Sequence, residues 1–453
     1  MAADRSLTRR GFLASAFAAA AMCTLETRDA FALGRTPTGG KVSFRVPWQL
    51  SSIDPHDVRD PAAALFSQAI FDTLFAIDGA QMPYPTLANS LPTREGAGTV
   101  LRIREGLRTA RGTALDARDV IFSIERAIAR GGLPLWADLP KPAAHPAERL
   151  AVVFGTADPV KLAKSLSSPL FALVPKSFNS QKPDGTGAFR AELKPSKLTL
   201  SRNPNAARGG SFLDSIEVES APDLKASLRQ FEAERDDVGW LGLGLFGGRK
   251  GSRKFDLGTL GYVVLMIGTE AGSAGGIGAA QTLANAFGAE RIGHLGLGTL
   301  PAGAGSPAWT GPKTDLLVDE TATHLVEVAS TLAPLLSNPG HEVSVLTVAR
   351  SEIQKRRGKA ALMLDLARPL LPGPLGTFVS LANAYDPVKA QELYRKPPKN
   401  LASSARQLAA GLEVGVIGEV RAQGGVIAEV NLTKNAVMDS WDLGASYRRK
   451  PGK

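Results

Sequence analysis

The stretch LRIREGLRTARGTALDARDVIFSIERAIA, residues 101–129, decides how the rest of the chain is read. Leu101 and Ile103 alternate with Arg102 and Arg104, the period-two pattern of a half-buried strand with a basic outer face. Gly106 and Gly112 punctuate the turns that follow. Asp116 stands where a helix N-cap belongs, and Asp119 is well placed for the positive end of the helix dipole. Val120, Ile121, Ile124 and Ile128 then form an apolar stripe at helical spacing. The physical pattern alone implies an α+β unit.

The order of these residues resembles the signature of the family 5 extracellular solute-binding proteins, the dipeptide and oligopeptide binders of ABC importers. Ala117, Asp119-Val120, Ser123 and Arg126 match it, while Arg111 stands where the family usually has Asp. Further matches lie upstream at Ile53-Asp54-Pro55, at FDTLF (71–75) and at PTLANS (85–90). Downstream come SPLFALVPKS (168–177) and GTGAFR (185–190), whose glycines suit a strand-entry turn needing positive φ. RNPNA (202–206) follows, with Ala206-Ala207 replacing the family's Tyr-Trp. The resemblance is strong from Lys41 to Asp237 and weaker from Gly261 onward, where GHLGLGTLPAGAGSPAW (293–309) still matches. It implies an α/β, two-lobed periplasmic binding protein with an extra α+β subdomain in lobe one and a hinge.

Residue patterns supply the elements. KVSFRVP is a strand, and residues 62–74 read as a helix burying Leu65, Phe66, Ile70, Phe71 and Leu74. Tyr262 opens a buried strand, YVVLMIG. The glycine-rich run 268–278 reads as a mobile interlobe loop, with a helix over 278–287. LLVDETATHLVEVASTLAPLLSN, HEVSVLTV and KAALMLDLA give an α/β layer with a predominantly parallel sheet. YDPVKAQELYRK and LASSARQLAAGLEV read as two helices, and VGVIGEVRAQGGVIAEVNLT as a closing hairpin. The resulting division is a leader at 1–32, lobe one at 41–255 with its subdomain at about 83–182, and lobe two at 256–420. Residues 421–447 return to lobe one, and a basic tail, 448–453, is expected to be disordered.

The 453 residues exceed one ordinary domain, and 44% hydrophobic content suffices for real cores. Arg9-Arg10 ahead of Phe12-Leu13, the apolar run 11–22 and Ala30-Phe31-Ala32 read as a cleaved twin-arginine-type signal, implying a periplasmic protein. The run is too short for a ~20-residue membrane span. Cys23, the only cysteine, follows a loose lipobox that Met22 fits poorly; cleavage after Ala32 leaves no thiol. The leader carries four basic and three acidic residues, so its removal lowers the net charge from +10 to +9. Apart from Arg249 to Lys254 and the tail Arg448 to Lys453, the basic residues are scattered, and none forms a patch interleaved with aromatics, so no nucleic-acid partner is implied.

GLGLFG (242–247) matches a dinucleotide fingerprint in letters only, because a loop follows it where a helix is required. The five histidines are far apart, without metal-ligand spacing, and no nucleophile elbow or zinc-protease motif occurs. The expectation is a non-enzyme with no cofactor and no metal.

Aromatic side chains give large contact area in a closing pocket, so Trp48, Trp240 and Trp309 are candidate ligand contacts, or alternatively packing between lobes. RPLLPGPLGTF (368–378) resembles the family stretch in which an acidic residue holds a peptide's amino terminus. Leu370 stands at that position, Arg368 nearby, and Phe378 closes the stretch. Burying an ammonium without a carboxylate partner costs several kcal/mol. The ligand is therefore expected not to be an ordinary free-amine peptide, and an apolar or anionic solute contacted by Arg368 fits better.

The resemblance implies a monomer that captures a small-molecule or peptide-like ligand and delivers it to an inner-membrane ABC permease. The rival reading is a degenerate solute-binding fold that serves as an interaction or sensory protein.

Overall fold

One ten-stranded sheet runs through both halves of the molecule. The structure is a computed structural model and describes residues 38–240, 249–298 and 308–449. The expected signal segment with Arg9, Arg10 and Cys23, the GLGLFG run and residues 450–453 lie outside the described residues. No described helix is long and apolar enough to cross a membrane.

At one end of the sheet, Thr314–Asp319 pairs in parallel with both Val343–Val348 and Leu362–Ala367, the expected parallel layer. At the other end, Lys41–Val46 pairs in parallel with Ser215–Ser220, which continues as a meander into Lys197–Arg202 and Phe189–Lys194. Two long antiparallel strands join the halves: Ser252–Met266, 15 residues, and Val414–Ile427, 14 residues. Both faces of this joint are buried. Val263 and Leu265 enter one core, while Tyr262, Val264 and Met266 enter the other. The subdomain carries its own four-stranded sheet.

The opening stretch folds as read, with the helix at Ala117–Ala127. Asp116 and Asp119 form a reciprocal capping box: the Asp116 carboxylate accepts from the Arg118 N–H, and Asp119 accepts from the Asp116 N–H at 2.8 Å. Asp119 does more than face the dipole. Its second oxygen accepts from the Lys176 N–H at 2.9 Å, and Ser123 bonds both polar groups of the Val174 backbone. The 168–177 segment is thereby fixed to the helix.

Several expectations change. The first helix is Pro61–Ile70, not 62–74, because Phe71 turns extended at φ −125°. That turn sends Leu74 and Phe75 into the second core. The GTG glycines do not take positive φ. They allow close approach instead, since a Cβ on Gly185 would lie 2.3 Å from the Ile70 carbonyl and one on Gly187 2.6 Å from that of Ala69. The Gly187 N–H uses the contact to bond the Ile70 carbonyl at 2.9 Å.

Nor is the 268–278 run an interlobe loop. Its backbone is tied within lobe two, by Gly268 and Glu270 to Ala360 and Lys359 and by Gly278 to Leu412. The helix beyond it is Ala279–Asn285. Residues 414–427 form one strand rather than half a hairpin, because the twisted joint needs its full length as partner for Ser252–Met266. The terminal hairpin is Val430–Asn435 with Ser440–Arg448. Tyr447 and Arg448 belong to its second strand, not to a disordered tail, and Arg448 donates to the Lys41 carbonyl at 2.8 Å.

Candidate functional site

Three connected elements enclose a cavity of about 270 Å³ between the lobes. Helix Pro61–Ile70 contributes Ala64 and Gln68, the joint strand Thr259, Leu260 and Tyr262, and the Arg368–Thr377 region the opposite wall. The turn of the terminal hairpin, with Met438 and Asp439, forms the mouth. Gln68, Pro169, Val437 and Met438 also line an adjoining cavity of about 150 Å³ that reaches Asp72, Tyr84 and Arg208.

Gly258 holds the hairpin turn in place. It sits in a bulged part of the joint strand at φ +107°, and a Cβ there would lie 1.8 Å from the Asp439 carbonyl. Only glycine allows this approach.

The wall is mixed in character. Tyr262 is buried, which raises its phenol above the usual range, and it hydrogen-bonds Thr377. Leu371 and Pro369, Pro372 and Pro374 supply apolar surface. Asp439, the one acidic lining residue of the larger cavity, pairs with Lys434 at 2.5 Å. In the adjoining cavity Asp72 faces Arg208 at 3.8 Å and accepts from Thr186 at 2.8 Å.

Arg368 lines the cavity, but its guanidinium is committed to lobe one. It donates to the carbonyls of Pro55 and Asp57 at 3.3 and 3.4 Å and to the Ser67 hydroxyl at 3.1 Å. Burial lowers its pKa to about 10, and Asp57 and Asp60 oppose that shift. Its own carbonyl accepts from Ser380. The other sequence candidates are core residues. Leu370 is fully buried, and its carbonyl accepts from Ser168 at 2.5 Å; Phe378 is buried in the same core. Trp48 and Trp240 pack edge to face at 5.2 Å, with His324 of lobe two 6.2 Å from Trp48. Trp309 lies within lobe two, its indole donating to the Pro312 carbonyl at 2.7 Å. None of these five lines the cavity. Gln68, Tyr262, Thr377 and Met438 do; Tyr262 opened an expected strand and Thr377 lay in the 368–378 stretch, but neither stood out as a contact.

Behind the cavity a buried polar group orders the first loop. Asp54 takes a bidentate bond from Arg126, both distances 2.7 Å. Burial would raise its carboxyl, but Arg126 and Arg130 hold it below the usual range. His56, pushed down to about 4 by burial, lies between Arg126 and the Ala172 carbonyl. Among the described residues no group of His, Cys, Asp and Glu is arranged to hold a metal ion.

Comparison with known proteins agrees with this architecture. Residues 82–242 match the model for bacterial extracellular solute-binding proteins, family 5, middle segment. No curated protein sequence matches the chain. Among solved structures, AgaA from A. tumefaciens R10 in complex with agropinic acid superposes with a TM-score of 0.66 at 14% identity, covering 91% of this chain and 99% of that one. The dipeptide-binding protein of Pseudoalteromonas sp. SM9913 with Met-Leu gives 0.64 at 13%, covering 90% and 100%. NikA from Brucella suis with Fe(III)-EDTA gives 0.60 at 16%, again covering 90% and 100%. The chain is thus similar in sequence to the family 5 extracellular solute-binding proteins over residues 82–242, and similar in fold to these solved structures over about nine tenths of its length.

Proposed function

We propose that this protein captures a small solute between its two lobes in the periplasm and presents it to an ABC permease, without a chemical step. The observation that carries the reading is the cavity of about 270 Å³ bounded by both lobes and the joint strand. That volume lies near the lower end of ligand pockets, roughly 300–1,000 Å³. It favours a compact solute over an extended peptide. The solved relatives hold ligands as different as Met-Leu, agropinic acid and Fe(III)-EDTA, so the fold leaves the ligand open.

The ligand is not a free-amine peptide. Leu370 offers no carboxylate, Asp439 is neutralised by Lys434, and Asp72 faces Arg208. An incoming ammonium would be desolvated without compensation. Arg368 is equally engaged, so an anion gains little from it. A compact neutral solute that stacks on Tyr262 and bonds Gln68 or Thr377 fits the wall best.

Native mass spectrometry of protein purified from the periplasm without refolding tests this directly. A discrete extra mass, released on denaturation, supports capture and reports the ligand's class. Micromolar binding of plain di- or tripeptides would overturn the specificity.

A second reading, an interaction or sensory protein that has lost its ligand, is favoured by direct bonds between the lobes. These are Arg368 N–H to Val58, Ser168 to Leu370 and Asn383 to the Gly131 carbonyl. An apo mass together with no change in solution scattering across a solute panel selects it.

A further inference from the structure

We propose that access to the cavity runs beneath the turn of the terminal hairpin, residues 435–440, which lifts as a lid while the two lobes stay clasped. The inference rests on the cavity assigned above and adds its route of entry. Three cavities lie in a row under the hairpin. The cavity of about 270 Å³, the adjoining one of about 150 Å³ and a further one of about 110 Å³ are each lined by Gln68 of helix Pro61–Ile70. The hairpin lines each of them too: Val437 to Ser440 the first, Asn435, Val437 and Met438 the second, Asn435 and Trp441 the third. It therefore spans the whole row as a strap.

The base of the hairpin is fixed and its tip is not. Trp441 is buried against Phe44 and Phe255, with ring centroids 5.2 and 6.1 Å away, and Arg448 donates to the Lys41 carbonyl. Among the described residues, 436–439 make no hydrogen bond or ion pair outside the hairpin. The Asn435 side-chain oxygen accepts from the Val437 and Met438 N–H groups, both at 3.1 Å, and Lys434 pairs with Asp439. Those bonds hold the shape of the tip and travel with it. The Asp439 carbonyl rests against Gly258 by contact alone. The Ser440 hydroxyl, at the cavity wall, is buried without a partner among the described residues. Lifting the tip breaks contacts but no bond to the body of the protein.

Parting the lobes is a larger event. Arg59 of lobe one pairs with Asp365 of lobe two at 3.0 Å, the two side chains 9% and 6% exposed. Asp57 with Arg350 and Asp138 with Arg395, both at 2.7 Å, are further ion pairs between the lobes. Both hydrophobic cores also contain residues of both lobes, Phe44 with Leu325 in one and Trp136 with Phe378 in the other. Separation would return that apolar surface to water. The segment with the fewest outside contacts opens at the lowest cost, and here that segment is the hairpin tip. Lids of this kind set the rates at which ligands enter and leave.

Alkylation of a cysteine placed in the cavity measures access directly. In a C23S background Q68C supplies the only thiol, and iodoacetamide, a compact neutral reagent, is the probe, its rate of addition read by mass spectrometry. N435A removes the two bonds that order the tip and should speed labelling by about tenfold. D365N and R350Q each weaken an ion pair between the lobes, and neither residue lines the three cavities. Both should leave the rate within about twofold of the Q68C parent. Acceleration by D365N or R350Q equal to that of N435A assigns entry to the parting of the lobes and overturns the lid. An unchanged rate in N435A shows a mouth that needs no lid and overturns it too. Labelling requires no bound solute, so these results stand apart from solute capture, which the native mass of the unaltered chain reports.

Discussion

The backbone N–H of Arg368 donates to the carbonyl of Val58 at 3.1 Å, so a residue of lobe two is pinned to the first loop of lobe one. The side chain of the same arginine reaches past that bond to Pro55, Asp57 and Ser67. Arg368 is a clasp between lobes, with three acceptors that depend on it.

Replacing it should loosen the clasp. R368L leaves the Pro55 and Asp57 carbonyls buried without a donor, and an expected loss of about 3 kcal/mol follows from breaking a buried charged network at one partner. Urea denaturation reads the loss, and small-angle scattering should report an increased radius of gyration. A stability within 1 kcal/mol of the parent, roughly the scatter of surface substitutions, would show that the contacts are dispensable.

Gly258 predicts a local effect on the binding cavity. G258A places a Cβ against the Asp439 carbonyl at a backbone angle that alanine resists. Strain on the order of 1–3 kcal/mol should appear in the melting temperature. Because Met438 and Asp439 form the mouth, ligand affinity should fall along with it. Unchanged affinity for the co-purifying ligand would separate the hairpin turn from the cavity.

The buried histidines give the protein an acid limb. Burial holds both His56 and His324 near a pKa of 4 in the folded state, below the 6.5 of the free side chain. The unfolded chain thus binds more protons between these values, and stability present above pH 6.5 is lost as pH falls toward 4. The linkage amounts to roughly 3 kcal/mol for each histidine. Among the described residues neither His324 ring nitrogen has a hydrogen-bond partner, so H324L should flatten the limb without breaking a bond. Urea midpoints from pH 7 to pH 4 test this, and an equally steep fall in H324L would contradict it.

The capping box makes a graded prediction. D116A removes the side-chain cap and should cost about 1 kcal/mol. D119A should cost more, about 2 kcal/mol, because it strands both the Asp116 and the Lys176 N–H groups. Equal losses in the two variants would mean that the bond to Lys176 contributes nothing.

Elements governed by local periodicity were readable directly. Strand Lys41–Val46, helix Ala117–Ala127 with its Asp116 cap, and the parallel layer of Thr314–Asp319 with its neighbours all follow from side-chain spacing. Local preference was misleading where a distant backbone set the constraint. The GTG glycines looked like turn residues and are contact residues, because helix Pro61–Ile70 ends against them. Residues 414–427 looked like a hairpin and form one strand, because their partner is another long strand some 160 residues away.

The cavity was the least legible part. Trp48, Trp240 and Trp309 were reasonable contacts by residue type, but a large apolar ring is equally well satisfied by core packing, and that is where the fold puts them. Gln68, Thr377 and Met438 are unremarkable in sequence and face the cavity only because two helices, Pro61–Ile70 and Gly373–Tyr385, and a hairpin turn converge there. Spacing along the chain therefore determined the elements and their class, since side-chain period and capping are local properties. Which residues face a ligand, and that Arg368 clasps two lobes instead of reaching for one, was decided by tertiary structure. Burial and the satisfaction of hydrogen bonds depend on neighbours more than 300 positions away.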